Sequence, residues 1–314
     1  MVIAARDAGV TEAIVPAANA GEAAVVKNIT CVAASTLPEV VEHLTGIAPL
    51  PPVFSTPVDP VTCSIDLSDV TGQAHVKRAL EVAAAGQHHL LMVGPPGSGK
   101  TMLSRRLVTI LPPMTDDEAL EVTSIHSVAG LLRNRAGLVT QRPFRAPHHT
   151  ASMAALAGGG SHPRPGEVSL AHHGVLLLDE LTEWRKDCLE VVRKAVGARE
   201  SVVHRGGQTV SFPADALVVA AMTGCQCGYV SDPRHRCSCS QDEVAAHRRR
   251  VRGVGDWFEV HVEVPAVPFR DLNARGRGGE SSRTVRERVA TAVEVQTRRF
   301  QGAVTRFNGR MSGR

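Results

Sequence analysis

The stretch "GPPGSGKT", Gly94 to Thr101, follows directly on the apolar run Leu90-Leu91-Met92-Val93. It fits the pattern G-x-x-x-x-G-K-[ST]. In that pattern glycines let backbone N–H groups converge on phosphate oxygens, and the helix behind the loop adds its positive end. The candidate cradle is Gly94, Pro95, Pro96, Gly97, Ser98, Gly99, Lys100 and Thr101. Lys100 is expected to reach the β- and γ-phosphates of a nucleotide, and the Thr101 hydroxyl to bind Mg²⁺. A chance glycine turn would lack the setting found here, an apolar strand before the loop and a helical stretch from Lys100 to Ile110 after it.

Further along, "GVLLLDE" is a second buried strand, ending on Asp179 and Glu180. A carboxylate at a strand end suits the Mg²⁺ shell, so Asp179 is read as a metal-binding residue. Glu180 can orient or deprotonate an attacking water, which favours hydrolysis over transfer to a small molecule. The bland alternative is an acidic helix start. "ALVVAAM" is a further buried strand, and "EVHVEVP" alternates like a half-exposed one. "VVHRGGQTVSF" reads as a hairpin around Gly206-Gly207. Thr71 is expected to cap a helix that carries Val76 and Leu80, Trp184 to Val196 to form another, and Ser281 or Ser282 to open a last one. Residues 142–174, rich in Gly, Pro and His, read as an elaborate loop or hairpin region.

Ahead of the cradle, residues 1–47 alternate short β-like runs with helical stretches, a piece of an α/β domain, and "IAPLPPVFSTPVDP" reads as a proline-rich linker. No apolar run reaches the ~18 residues of a membrane span, and the start carries an acid early, so a cytoplasmic protein with no membrane partner is expected. Charge is uneven. Residues 1–60 hold two basic and six acidic side chains, whereas residues 270–314 hold eleven Arg and four acids. A basic tail is compatible with nucleic acid or with a solvated helix face. Arg142, Arg145, His148 and His149, with Arg205 on the hairpin, are candidates for touching a polyanion, or are ordinary hairpin and interface side chains.

Seven cysteines are present, and in a reducing compartment they are not a disulfide framework. Cys31, Cys63 and Cys188 are scattered and read as buried thiols. Cys225, Cys227, Cys237 and Cys239 cluster as two C-x-C pairs, the ligand count of a closed structural Zn²⁺ site with His235 as a spare ligand, or else four surface thiols on a long insertion.

"GPPGSGKTMLSRRLVTILPP", "RPFRAPHHTAS", "GGGSHPRPGEVSLAHHGVLLLDELTEW" and "FPADALVVAAM" together resemble the magnesium-chelatase-like AAA+ proteins of the ComM (YifB) type, essentially end to end. The resemblance implies an α/β fold. Residues 1–48 would be a partial Lon-protease-like domain, 49–64 a linker, 65–268 an AAA+ core with a parallel P-loop sheet and helices on both faces, and 269–314 the truncated start of a helical lid. It further implies ATP with Mg²⁺, a homo-oligomeric ring, a hexamer, and a helicase or branch-migration motor on single-stranded or branched DNA. Two positions depart from the family. Where the family's strand ends in a water-positioning Asn, this chain has Thr223, and where its trans-acting arginine stands, "GVGDWFE" has Trp257. Arg248, Arg249, Arg250 and Arg252 are nearby substitutes. These departures leave two further readings open: an ATP-binding remnant with weak or no hydrolysis, and a chelatase-type remodelling subunit.

Overall fold

The structure is a computed structural model and describes residues 1–54, 64–132, 138–160, 163–205, 208–251, 253–267, 279–302 and 306–311, with the side chains of Arg205 and Gln208 outside the description. Cys63, Gly206, Gly207 and Arg252 from the reading above, and residues 55–63 of the expected linker, therefore lie outside the described residues. The chain forms two compact units, Met1–Val61 with Met114–Gln141, and Thr62–Pro113 with Arg142–Arg314.

In the first unit, β1 (Glu12–Pro16) and β2 (Thr30–Ala34) pair in parallel, with Ile14 opposite Val32. A parallel pair needs a crossover, which here contains the short helix Ala20–Ala23. Val15, Ala23 and Cys31 are buried together, with Val2, Ala13 and Ile29 against them. The helix Leu37–Thr45 opens on Thr36, whose hydroxyl accepts the Glu39 N–H while the Glu39 carboxylate takes the Ser35 N–H at 2.8 Å. The helix Asp116–Val128 opens on a reciprocal Thr115–Glu118 cap. Its Ser127 hydroxyl donates to Glu22 at 2.7 Å.

The second unit contains β3 (Leu90–Val93), β4 (Phe144–Arg145), a small antiparallel pair of β5 (Gly158–Gly159) and β6 (Arg164–Pro165), then β7 (Val175–Leu178), the hairpin of β8 (Glu200–Arg205) and β9 (Gln208–Pro213), β10 (Leu217–Met222) and β11 (Val260–Glu263). Five of these strands make one parallel sheet in the order β11-β3-β10-β7-β4. Parallel strands are covered on both faces, which is why the central ones read as unbroken apolar runs. Successive side chains go to opposite faces. Leu90, Met92, Leu177 and Val219 pack with Leu80, Leu103, Leu107, Val285 and Val289, from the helices Ala74–Gly86, Lys100–Ile110 and Ser282–Arg299. Leu91, Leu176, Leu178, Val218 and Ala220 pack the other way, against Leu156, Val168, Cys188 and Val192. The helix on Ser282–Arg299 is thus part of the core of this unit, with Arg288 clasping Glu81 at 2.8 Å and Glu280 at 2.7 Å.

Several local expectations shift. Thr71 does not cap the helix Ala74–Gly86. Gln73, at a left-handed φ of 53°, stands in that place and turns its side-chain amide to Pro265 O at 2.6 Å. The helix expected from Trp184 begins at Lys186, because Trp184 and Arg185 are extended, with ψ of 141° and 138°, and the Trp184 indole N–H is held by Asp179 O at 2.8 Å. Ser281, by contrast, caps the last helix as expected, accepting the Thr284 N–H at 3.2 Å. Among the described residues no helix is long and apolar enough to cross a membrane.

Candidate functional site

The helix after β3 packs on one face of the sheet and the helix Lys186–Ala198, after β7, on the other. Connections that diverge in this way leave a crevice beyond the carboxyl ends of the strands, the usual ligand position in open α/β sheets. The ends of β3, β10 and β7 are neighbours there, and they deliver Gly94, Thr223 and Asp179.

Gly94 leaves β3 with its N–H donated to Met222 O at 3.1 Å. A methyl group on Gly94 would fall 2.2 Å from Val264 O, so no other residue fits between β3 and the chain leaving β11. Gly97 and Gly99 take positive φ, 71° and 90°, and turn the loop into the helix Lys100–Ile110. The first-turn N–H groups of that helix lack partners within it and face the crevice with the positive end of its dipole. The Lys100 ammonium donates to Gly94 O at 2.9 Å and Pro95 O at 2.8 Å. Burial pushes its pKa down while the Asp179 charge pulls it up. An incoming phosphate would compensate that burial, and the loop carbonyls hold the ammonium in place beforehand.

Thr101 donates to Asp179 Oδ2 at 2.6 Å across 78 residues of chain. Two oxygens at that separation resemble one edge of an octahedral Mg²⁺ shell, about 2.9 Å for ligands near 2.1 Å from the ion. The donor set is hard oxygen throughout, so the pair fits Mg²⁺. Asp179 Oδ1 accepts the Glu180 N–H at 3.0 Å. Glu180 takes a left-handed φ of 52°, an uncommon backbone for a non-glycine residue. Its carboxylate is largely exposed, with His149 Nδ1 at 3.0 Å.

Thr223 directly follows β10, but its hydroxyl donates to Cys225 O at 2.9 Å, and its carbonyl lies 3.1 Å from His247 Nε2. Trp257 is a packing residue: its ring meets His89 edge-on at 5.3 Å and Phe258 at 5.1 Å. Arg248 and Arg249 are exposed and line an open cleft of about 660 Å³ with Met222 and Glu263, whereas Arg250 reaches Glu183 at 3.6 Å.

The polyanion candidates divide. Arg142 donates to Pro112 O at 2.6 Å and His173 O at 2.7 Å. Arg145 grips Glu167 with two bonds, at 2.6 and 2.7 Å. Both guanidiniums serve internal bonds, the ordinary structural role left open in the sequence beside contact with a polyanion. His148 bonds Thr150 at 2.8 Å. His149, a further candidate, is beside Glu180, a partnership across 31 residues that no local pattern signals.

The four clustered cysteines do converge. Their sulfurs all lie within 4.8 Å of one another, with Cys225–Cys227 at 3.4 Å, Cys225–Cys237 at 3.7 Å and Cys227–Cys237 at 3.5 Å. Backbone N–H groups of Tyr229 and Ser238 pull the Cys227 thiol down to about 5. His235, the expected spare ligand, is turned away to Asp232 at 2.9 Å and stacks on Tyr229.

Residues 66–272 match a family model described as magnesium chelatase, subunit ChlI. Competence protein ComM of Haemophilus influenzae is 42% identical over 298 residues, which are 92% of this chain and 57% of that protein. An uncharacterized protein YifB of Salmonella typhimurium is 38% identical over 304 residues, 96% of this chain and 58% of that one. An uncharacterized protein of Mycobacterium tuberculosis is 40% identical over 318 residues, 99% of this chain and 62% of that one. The chain thus spans somewhat over half the length of the curated relatives it matches. A structure of the complex between subunits BchI and BchD of magnesium chelatase is similar over 74% of this chain and 76% of that one, at 16% identity and a TM-score of 0.43.

Proposed function

Because the chain belongs to the magnesium chelatase subunit ChlI family, we propose that it binds ATP with Mg²⁺ in the Lys100 cradle and hydrolyses it to drive a cytoplasmic ring motor, a hexamer, on single-stranded or branched DNA. The observation that carries the nucleotide part is the meeting of Lys100, Thr101 and Asp179 at the neighbouring ends of β3 and β7. The backbone N–H groups of Gly97, Gly99, Lys100 and Thr101 bind phosphate oxygens. Lys100 exchanges the Gly94 and Pro95 carbonyls for the β- and γ-phosphates. Thr101 and Asp179 hold Mg²⁺, which when bound neutralises charge that develops on the phosphates. Glu180 holds the attacking water and takes its proton. His149 orients the Glu180 carboxylate. Cys225, Cys227, Cys237 and Cys239 hold one structural Zn²⁺.

The DNA part rests on the excess of arginine in residues 270–314 and on the hairpin β8–β9, which supplies Arg205. A second reading, an ATP-binding chain with slow turnover, is favoured by Trp257, which is packed on His89 where the family supplies an arginine, and by the Thr223 hydroxyl, which is taken up by Cys225 O. Calorimetry with ATP and Mg²⁺ tests the shared step. Wild type should bind and Lys100→Ala should not, and a folded wild type without ATP affinity refutes both readings. Turnover with and without single-stranded DNA then separates them. A rate stimulated by DNA and lost in Glu180→Gln supports the motor. Tight binding with negligible turnover in either condition supports the slow form.

A further inference from the structure

The cysteine cluster is joined to the phosphate cradle from two directions. One is covalent: β10 ends at Met222, and only Thr223 and Gly224 separate it from Cys225, which is fully buried. The Thr223 hydroxyl closes that link by donating to Cys225 O at 2.9 Å. The second is a packing contact. Gly228, at a φ of 88°, lies so close to the cradle that a methyl group on it would fall 2.7 Å from Pro96 Cδ and 2.8 Å from Pro96 Cγ. Pro96 lies within the phosphate loop, between Gly94 and Gly97. The segment between the two cysteine pairs therefore backs the loop that would hold phosphate.

The segment has little else to hold it in this shape. Residues 223–239 contain no helix or strand, and their large apolar side chains are few. Four thiols facing one another, one buried and three half-buried, gain little without a cation, whereas four thiolates around Zn²⁺ at 2.3 Å lie about 3.8 Å apart, close to the separations found. The Cys227 N–H points to Cys239 Sγ at 3.4 Å, the kind of outer bond that orients a metal-bound thiolate. With His235 engaged by Asp232, four sulfurs complete the set and no open position is left for chemistry.

We propose that Cys225, Cys227, Cys237 and Cys239 hold one Zn²⁺ that acts as a clasp on the phosphate loop, fixing Gly228 against Pro96 and Thr223 at the end of β10. This rests on the zinc reading above and extends it: the metal is a positioning element for the cradle, so its removal loosens residues 94–99. Gly228 is a positioning residue in the same sense, since it transmits the clasp to Pro96 without touching a ligand.

The test uses the full chain, purified without chelator. Metal analysis should find one zinc per chain. Hydrogen exchange of the peptide covering residues 94–99 is then followed in the zinc-loaded protein, after zinc extraction, and after Zn²⁺ is added back. Extraction should speed exchange at these amides at least tenfold, and Zn²⁺ should restore it. Gly228→Ala should keep its zinc and still show the faster exchange, which separates the contact from the metal and does not depend on a cysteine variant folding. Absence of zinc with four titratable thiols overturns the site. Zinc present but exchange at 94–99 unmoved by its extraction overturns the clasp and leaves a zinc site of local effect only. Neither readout involves ATP, so a failure of nucleotide binding would refute the proposed function without touching this result.

Discussion

Acidification should destabilise this protein through one residue of its core, His89. The residue is only 4% exposed, just ahead of β3, and its Nδ1 accepts the Val218 N–H at 3.1 Å. Burial, with Arg310 and His88 adding like charge, lowers its pKa from 6.5 to about 3. The folded protein therefore keeps His89 neutral where the unfolded chain protonates it. A depressed folded value means stability that is complete above the unfolded pKa and is lost as the pH falls from 6.5 towards about 3. At pH 5 the unfolded chain has gained about 1.5 pH units of protonation, which at 1.36 kcal/mol each is about 2 kcal/mol. Against a typical domain stability of roughly 5–15 kcal/mol, that loss is measurable. The assay is urea unfolding at pH 8 and pH 5 for wild type and His89→Gln. The Gln carbonyl can still accept the Val218 N–H, and it does not titrate. Wild type should lose about 2 kcal/mol more than the variant between the two pH values. Equal losses would show that His89 does not carry the proton linkage, and the buried-neutral reading would be abandoned.

Gly94→Ala should lower stability by about 1–3 kcal/mol, because the new methyl is forced against a backbone oxygen that cannot turn aside. ATP affinity should fall at least tenfold with it, and calorimetry showing wild-type affinity would mean the β3–Val264 contact yields freely. Arg145→Ala should cost about 1–3 kcal/mol in a denaturant melt by leaving Glu167 unpaired. DNA affinity should stay within twofold, and a large loss of DNA binding at unchanged stability would return Arg145 to the polymer surface. Arg205→Ala, on the hairpin, should in turn make the salt dependence of DNA binding shallower.

What could be read from the chain is what depends on neighbours in sequence. A glycine loop between an apolar strand and a helix is a local object, because the backbone angles and the helix start are set within Gly94 to Lys100. The apolar runs of β3, β7 and β10 announce a sheet covered on both faces for the same reason: burial leaves no room for polar alternation. A carboxylate at a strand end and two closely spaced cysteine pairs took the reading as far as Asp179 and the clustered cysteines, and the fold brings Thr101 to the first and the four sulfurs together.

Partner choice was decided only in three dimensions. Arg142 and Arg145 look like free charge in sequence, but a guanidinium goes to whichever acceptors the fold sets within reach, and here these are two carbonyls and Glu167. His149 meets Glu180, and Trp257 meets His89, because strands and loops distant in the chain end side by side. Residues Met114–Gln141 group with the N-terminal segment although they lie between two stretches of the other unit, and no composition shift marks that exchange. Local conformation follows from steric limits within a few residues, whereas the energy of a charge, a thiol or an indole depends on atoms whose proximity only the folded chain creates.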